Sequence, residues 1–156
     1  IELESTCDQK VDLSKINQKL VLYCYPMTGQ PNVPLPDGWD EIPGARGCTP
    51  QSCSFRDHHG EFLKLGAEIF GLSTQSTEYQ KEMAERLHLP FQVLSDANRQ
   101  FTDTLDLPTF TVDGKILLKR LTMITSNSII EAVHYPVFPS HRDPTWVLEY
   151  LRKNQR

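Results

Sequence analysis

The sequence predicts an α/β domain, with a central mixed β-sheet flanked by helices on both faces. Two observations carry this. Short apolar runs rich in β-branched and aromatic residues alternate with segments of helical period, and the chain closes on a hairpin and a helix. A stretch crowded with Pro and Gly also sits at the end of one apolar run, where open α/β sheets place their sites. A length of 156 residues suits one compact domain with a proper core, so residues 1–156 are expected to form a single domain.

The elements follow in order. Val11 and Leu13 suggest a short strand or hairpin arm. Leu20-Val21-Leu22-Tyr23-Cys24-Tyr25, stopped by Pro26, has the composition of a buried central strand. Residues 27–47 carry Pro31, Pro34, Pro36, Pro43, Gly29, Gly38, Gly44 and Gly47 and show no period; a loop of that length is usually functional. Phe55, His59, Phe62 and Leu63 then share a helical face, with Gly66 as its stop. Ile69-Phe70-Gly71-Leu72 predicts a strand, residues 75–88 an amphipathic helix with Tyr79, Met83 and Leu87 inward, and Phe91–Leu94 another strand. A short helix over 97–105 carries Phe101 and Leu105. Residues 115–125 and 129–135 are expected as two strands joined at Ser126-Asn127-Ser128. Asp143-Pro144 opens the last helix, as N-cap and first helical residue, and Trp146, Val147, Tyr150 and Leu151 form its apolar stripe.

Charge and composition exclude some functions. Hydrophobic content is 38%, charged content 23% and net charge −4, with both signs interspersed. A nucleic-acid or anionic-membrane surface would need a concentrated basic patch. No apolar run approaches the length of a membrane span, and no secretory leader is visible in the chain beginning at Ile1. The expectation is therefore a protein with no nucleic-acid and no membrane partner. Its four cysteines, Cys7, Cys24, Cys48 and Cys53, lack the density of a secreted disulfide scaffold, which points to a reducing, cytoplasmic setting and to catalytic use of a pair.

The informative segment is Gly47-Cys48-Thr49-Pro50-Gln51-Ser52-Cys53. Pro50 suits the first helical position, with Thr49 as N-cap. Cys48 then lies just ahead of a helix start, where unpaired amides and the positive end of the macrodipole stabilise a thiolate. A thiolate is the species that attacks a peroxide oxygen. Cys53 follows in the same helix. Five residues rise about 7.5 Å and rotate about 500°, leaving the two Cα atoms roughly 8–9 Å apart. A disulfide wants about 4.4–6.8 Å, so the pair closes only if the first turn melts.

Gly-Cys-Thr-x-x-x-Cys-x-Phe-Arg-Asp, running from Gly47 to Asp57, resembles the active-site helix of the Q-type peroxiredoxins, the bacterioferritin-comigratory protein group. Tyr25-Pro26 before the loop resembles the family's strand end, and Arg120-Leu121-Thr122-Met123-Ile124 resembles its Arg-bearing strand. The likeness covers most of residues 10–153, with its specificity concentrated at 47–57 and around 120. It implies a thioredoxin-like fold and a thioredoxin-dependent hydroperoxide reductase. In that reading Cys48 is peroxidatic, Cys53 resolving, and Arg120 lies beside the peroxidatic sulfur. The implied substrates are hydrogen peroxide and organic hydroperoxides, the implied reductant is a thioredoxin-like dithiol protein, and no metal or organic cofactor is needed. The intrahelical pair needs no partner subunit, so a monomer is expected.

Two positions depart from the family pattern. Its motif Pro-x-x-x-Thr-x-x-Cys has a Thr that positions the peroxide, and Ala45 stands there instead. The region reads as holding an insertion, so Pro26 or Pro43 takes the place of the motif proline, and Thr28 or Thr49 is left to supply the hydroxyl. The Glu often found three residues after the peroxidatic Cys is Gln51.

Plainer readings stand beside these. Arg120 also suits a surface ion pair. Cys48 and Cys53 also suit a thiol–disulfide oxidoreductase, or a non-enzymatic redox-sensing domain whose helix melts to expose a partner surface. His58 and His59 near Cys53 suggest a zinc site only weakly, because no second Cys pair follows. Trp39 either pins the loop or forms a lid. Leu107-Pro108-Thr109 is either a cis-proline segment or an ordinary turn. His134 and His141 are expected without special duty, Cys7 as a bystander, and Cys24 as core or a reserve resolving thiol.

Overall fold

Alternation along one strand organises the molecule. In the computed structural model, which describes residues 1–29, 34–42 and 45–154, Lys19–Cys24 is the central strand. In chain order the elements are β1 (Leu3–Ser5), β2 (Lys10–Val11), β3 (Lys19–Cys24), α1 (Cys48–Asp57), α2 (His59–Lys64), β4 (Ala67–Ser73), α3 (Thr77–Leu87), β5 (Gln92–Ser95), α4 (Gln100–Thr104), β6 (Thr109–Val112), β7 (Lys115–Leu118), β8 (Leu121–Ser126), β9 (Ile129–His134) and α5 (Asp143–Lys153). Short 3-10 turns lie at Leu13–Lys15, Trp39–Glu41 and Ser140–Arg142.

A seven-stranded sheet has the order β2-β1-β5-β4-β3-β8-β9. β3, β4 and β5 run parallel, while β8, β9, β1 and β2 join antiparallel, so the sheet is mixed. Because side chains alternate across a strand, β3 feeds two cores. Val21 and Tyr23, continued by Tyr25, pack with Cys48, Phe55, Phe62, Met83, Val147 and Leu151 from α1, α2, α3 and α5. Leu20, Leu22 and Cys24 face the other way, toward Phe70, Leu94 and Met123, covered by Leu3, Leu13 and Phe101 of α4. Both faces are covered, but four of the five helices lie on one. Gly71 sits on β4 beside β3 because the Tyr23 ring occupies the space of a side chain: a Cβ there would lie 2.9 Å from it.

Several elements differ from the sequence reading. Residues 115–125 are two strands, not one. β7 pairs with β6, a strand the sequence did not suggest, in a separate two-stranded sheet, and β8 joins the main sheet. The chain breaks at Lys119-Arg120, where the Lys119 amide bonds the Pro108 carbonyl and Arg120 turns inward. The helix expected through Phe55 and Leu63 divides at His58, whose backbone leaves helical geometry (φ −100°, ψ 4°) and whose ring Nδ1 meets the Ser54 carbonyl at 2.8 Å. Leu63 is exposed, not inward. Pro108 follows a trans bond and enters β6; among the described residues the cis bonds are Tyr135-Pro136 and Phe138-Pro139. Trp39 pins its loop, buried with Ala45 and Leu117 and against Phe110. Pro31, Pro43 and Gly44 lie outside the described residues.

Burial raises the Tyr23 and Tyr25 phenols and the Cys24 thiol well above their ordinary values of 10.0, 10.0 and 9.0. The raised groups stay protonated in the fold while the unfolded chain ionises. Stability from them is full below the ordinary values and is lost as pH rises past them. Denaturant midpoints are therefore expected to hold steady up to about pH 8 and then fall, each group contributing a limiting slope of about 1.4 kcal/mol per pH unit. An unchanged midpoint through about pH 11 would contradict this.

Candidate active site

The site is built where α1 begins. Gly47 is its N-cap, in left-handed geometry at φ +104°, and the Ser140 hydroxyl donates to the Gly47 carbonyl at 2.8 Å. Cys48 is the first helical residue rather than the one before the helix, and Thr49, expected as N-cap, is the second. The correction arises because glycine reaches the turn geometry that a β-branched threonine resists. Pro50 still falls in the first turn, where a missing amide costs nothing.

Cys48 is buried, at 4% exposure, and so is Arg120. Arg120 Nη2 lies 3.1 Å from Cys48 Sγ and also donates to the carbonyls of Ala45 (3.2 Å) and Arg46 (3.0 Å). Its Nη1 donates to Gln51 Oε1 at 2.5 Å. Cys48 Sγ meets the Ala45 carbonyl at 3.7 Å. A guanidinium in this place is complementary to negative charge on the sulfur, and its planar fork keeps two directions of donation at once. Arg120 is thus an inward-facing residue and not a surface ion pair.

Beyond Arg120 the network continues. Gln51 Nε2 donates to Asp143 Oδ2 at 2.8 Å. The same carboxylate accepts from the Thr122 hydroxyl, and its Oδ1 faces His134 Nδ1 at 2.7 Å. The His134 ring stacks on Trp146, with centroids 4.2 Å apart. Thr122 and His134 are cross-strand partners on β8 and β9. Asp143, expected as an N-cap, is instead the first residue of α5 behind Arg142, and its side chain turns inward. His134, expected to be idle, holds that side chain.

Cys53 lies half-buried in the same unbroken helix as Cys48, and all four thiols are unpaired. The structure therefore holds the two sulfurs on separate helical positions. α1 is tied at further points: Tyr23 Oη to Ser52 Oγ at 3.0 Å, Ser54 Oγ to the His141 carbonyl at 2.7 Å, and Phe55 stacked on Tyr23 at 4.6 Å. Thr28 is buried, but its amide and hydroxyl face Gln75 Oε1 at 3.1 and 3.5 Å. Thr49 remains beside Cys48, partly exposed. Cys24 is fully buried in β3, where burial pushes its thiol up, as the core reading expects; Cys7 is exposed.

The Redoxin family model matches residues 2–148. The chain belongs to the Redoxin family. Within it, the likeness is to the Q-type peroxiredoxins. It is 33% identical over 143 residues to the chloroplastic peroxiredoxin Q of Sedum lineare, covering 91% of this chain and 68% of that protein. To the chloroplastic peroxiredoxin Q of Oryza sativa subsp. japonica it is 30% identical over 143 residues, covering 91% of this chain and 58% of that one. The peroxidoxin BcpB of Mycobacterium tuberculosis shares the fold, with a TM-score of 0.81 at 24% identity over 100% of this chain and 94% of that one. The chain is thus a peroxiredoxin of the Q type with a thioredoxin-like α/β fold.

In this peroxiredoxin a Cβ on Gly47 would lie 2.2 Å from Ser140 Oγ. Gly47→Ala is expected to cost about 2–3 kcal/mol, combining backbone strain with that clash. Gly114→Ala, at φ +73° with nothing within 4 Å, should cost only about 1 kcal/mol, the backbone part alone. Urea unfolding of both variants checks the difference; equal losses would remove the Ser140 contact as a constraint on the helix start.

Proposed function

We propose that this peroxiredoxin reduces hydrogen peroxide and organic hydroperoxides with Cys48 as nucleophile and Cys53 as resolving thiol. The observation that carries the reading is the Arg120 guanidinium 3.1 Å from Cys48 Sγ at the first residue of a helix. The thiolate of Cys48 attacks one peroxide oxygen and the O–O bond breaks. The departing oxygen takes a proton and leaves as water or alcohol, while the sulfur is oxidised to a sulfenic acid. Arg120 offsets charge on the attacking sulfur, and the α1 amides lie at the same helix end. Thr49, the second residue of that helix, supplies a hydroxyl at the pocket. The Cys53 sulfur then displaces the sulfenic hydroxyl as water and forms a disulfide, which requires the first turn of α1 to unwind. A thioredoxin-like dithiol returns two electrons by exchange. A monomer completes the proposal, supported by the placement of both sulfurs on one helix, and a reducing, cytoplasmic compartment is proposed from the sparse cysteines.

Stopped-flow mixing with hydrogen peroxide is expected to oxidise Cys48 far faster than a free thiol, and Cys48→Ser abolishes turnover. Arg120→Met lowers the rate of that first step by about two orders of magnitude. Slow oxidation by peroxide beside fast reduction of insulin would instead identify a thiol–disulfide oxidoreductase. Cys53→Ser keeps the first oxidation but loses the intramolecular disulfide, seen by intact mass after one equivalent of peroxide. A disulfide that survives in Cys53→Ser would reassign the resolving thiol.

A further inference from the structure

We infer that Asp143 is a positioning residue for the reaction at Cys48, acting through Gln51 and Arg120; this rests on the peroxidase reading above. A glutamine amide has two ends that hydrogen-bond oppositely. In the site, Gln51 is fully buried and its two ends meet partners that accept only one arrangement. Its nitrogen faces the Asp143 carboxylate at 2.8 Å, and its oxygen faces the Arg120 guanidinium at 2.5 Å. A carboxylate accepts and a guanidinium donates, so Asp143 sets which end of Gln51 faces Arg120. The orientation of Gln51 in turn fixes Nη1, leaving Nη2 aimed at Cys48 Sγ.

Asp143 is itself held without freedom. It is fully buried, Oδ2 is shared by Gln51 and the Thr122 hydroxyl, and Oδ1 meets His134. A buried carboxylate with no link to the site would be expensive to retain. Here it anchors β8, β9 and α5 to the active-site helix across 92 residues of sequence. It does not touch the sulfur, and its effect on the reaction passes through two other side chains.

The test uses the full chain and two readouts, ultraviolet thiolate absorbance of Cys48 at neutral pH and its second-order rate with hydrogen peroxide. Asp143→Ala is expected to lower both about tenfold, because the amide of Gln51 is released to turn. Asp143→Asn should recover most of the loss, since its oxygen still accepts from Gln51. Gln51→Glu should again lower both about tenfold, because two carboxylates then face each other in a buried place. Adding Asp143→Asn to Gln51→Glu should restore them, with the original number of charges and hydrogen bonds. A merely structural Asp143 would move the unfolding midpoint and leave thiolate fraction and rate unchanged in folded protein, which would overturn the inference. So would failure of Asp143→Asn to restore the Gln51→Glu background, which does not depend on how well Asp143→Ala folds. If the unaltered chain itself reacts with peroxide no faster than a free thiol, the peroxidase reading fails instead.

Discussion

A buried guanidinium governs this molecule. Removing a cation from water costs several kcal/mol unless donors and charge are met, and Arg120 is 96% enclosed at 4% exposure. Its described partners come from three places: the loop carbonyls of Ala45 and Arg46, the Gln51 side chain of α1, and the Cys48 sulfur. For two successive carbonyls to aim at one side chain just before a helix, the chain must turn sharply, and Gly47 in left-handed geometry makes that turn. Arg120 points inward from the break between β7 and β8, which separate at Lys119-Arg120 into different sheets. The loop, the helix start and the split strand meet at one buried charge.

In the proposed reaction the same helix must be both firm and able to open. Its sulfurs sit on one continuous helix, and helical spacing keeps their Cα atoms beyond disulfide reach. Side-chain hydrogen bonds tie α1 and its cap to their surroundings at several points, among them Ser140 to Gly47, Ser54 to His141, Tyr23 with Ser52, Gln51 to Asp143 and Arg120 to Gln51. Each such bond contributes on the order of 1 kcal/mol, and those to charged partners more. Two of these ties involve the 140–141 segment, a part of the chain remote from both cysteines.

Much of the fold was legible because its signals are local. The apolar, β-branched run from Leu20 to Tyr25 announces β3, and the segment from Gly47 to Cys53 announces a helix start from its proline, although the cap proved to be Gly47 and not Thr49. What escaped is set by distant partners. β6 is a strand of only four residues that exists by pairing with β7. Asp143-Pro144 correctly announces a helix, but a buried network 92 residues away in sequence claims the side chain that a cap would have used. His134 gives no sign in sequence, because its role arises only when β8 and β9 pair and bring it opposite Thr122.

Gln51 shows why a departure from the family pattern carries information. The family resemblance puts a glutamate at this position, and a glutamate beside Asp143 would set two carboxylates at hydrogen-bond distance in a fully buried place. Such a pair keeps one proton between them, because like charges at that distance do not both ionise. The amide avoids this by donating to one side and accepting on the other. It passes orientation from the carboxylate to the guanidinium while adding no charge of its own. The neutral residue at 51 and the carboxylate at 143 suit each other, because the amide donates to the carboxylate and adds no second negative charge beside it. A chain of this family that restores the glutamate should also give up the buried acid.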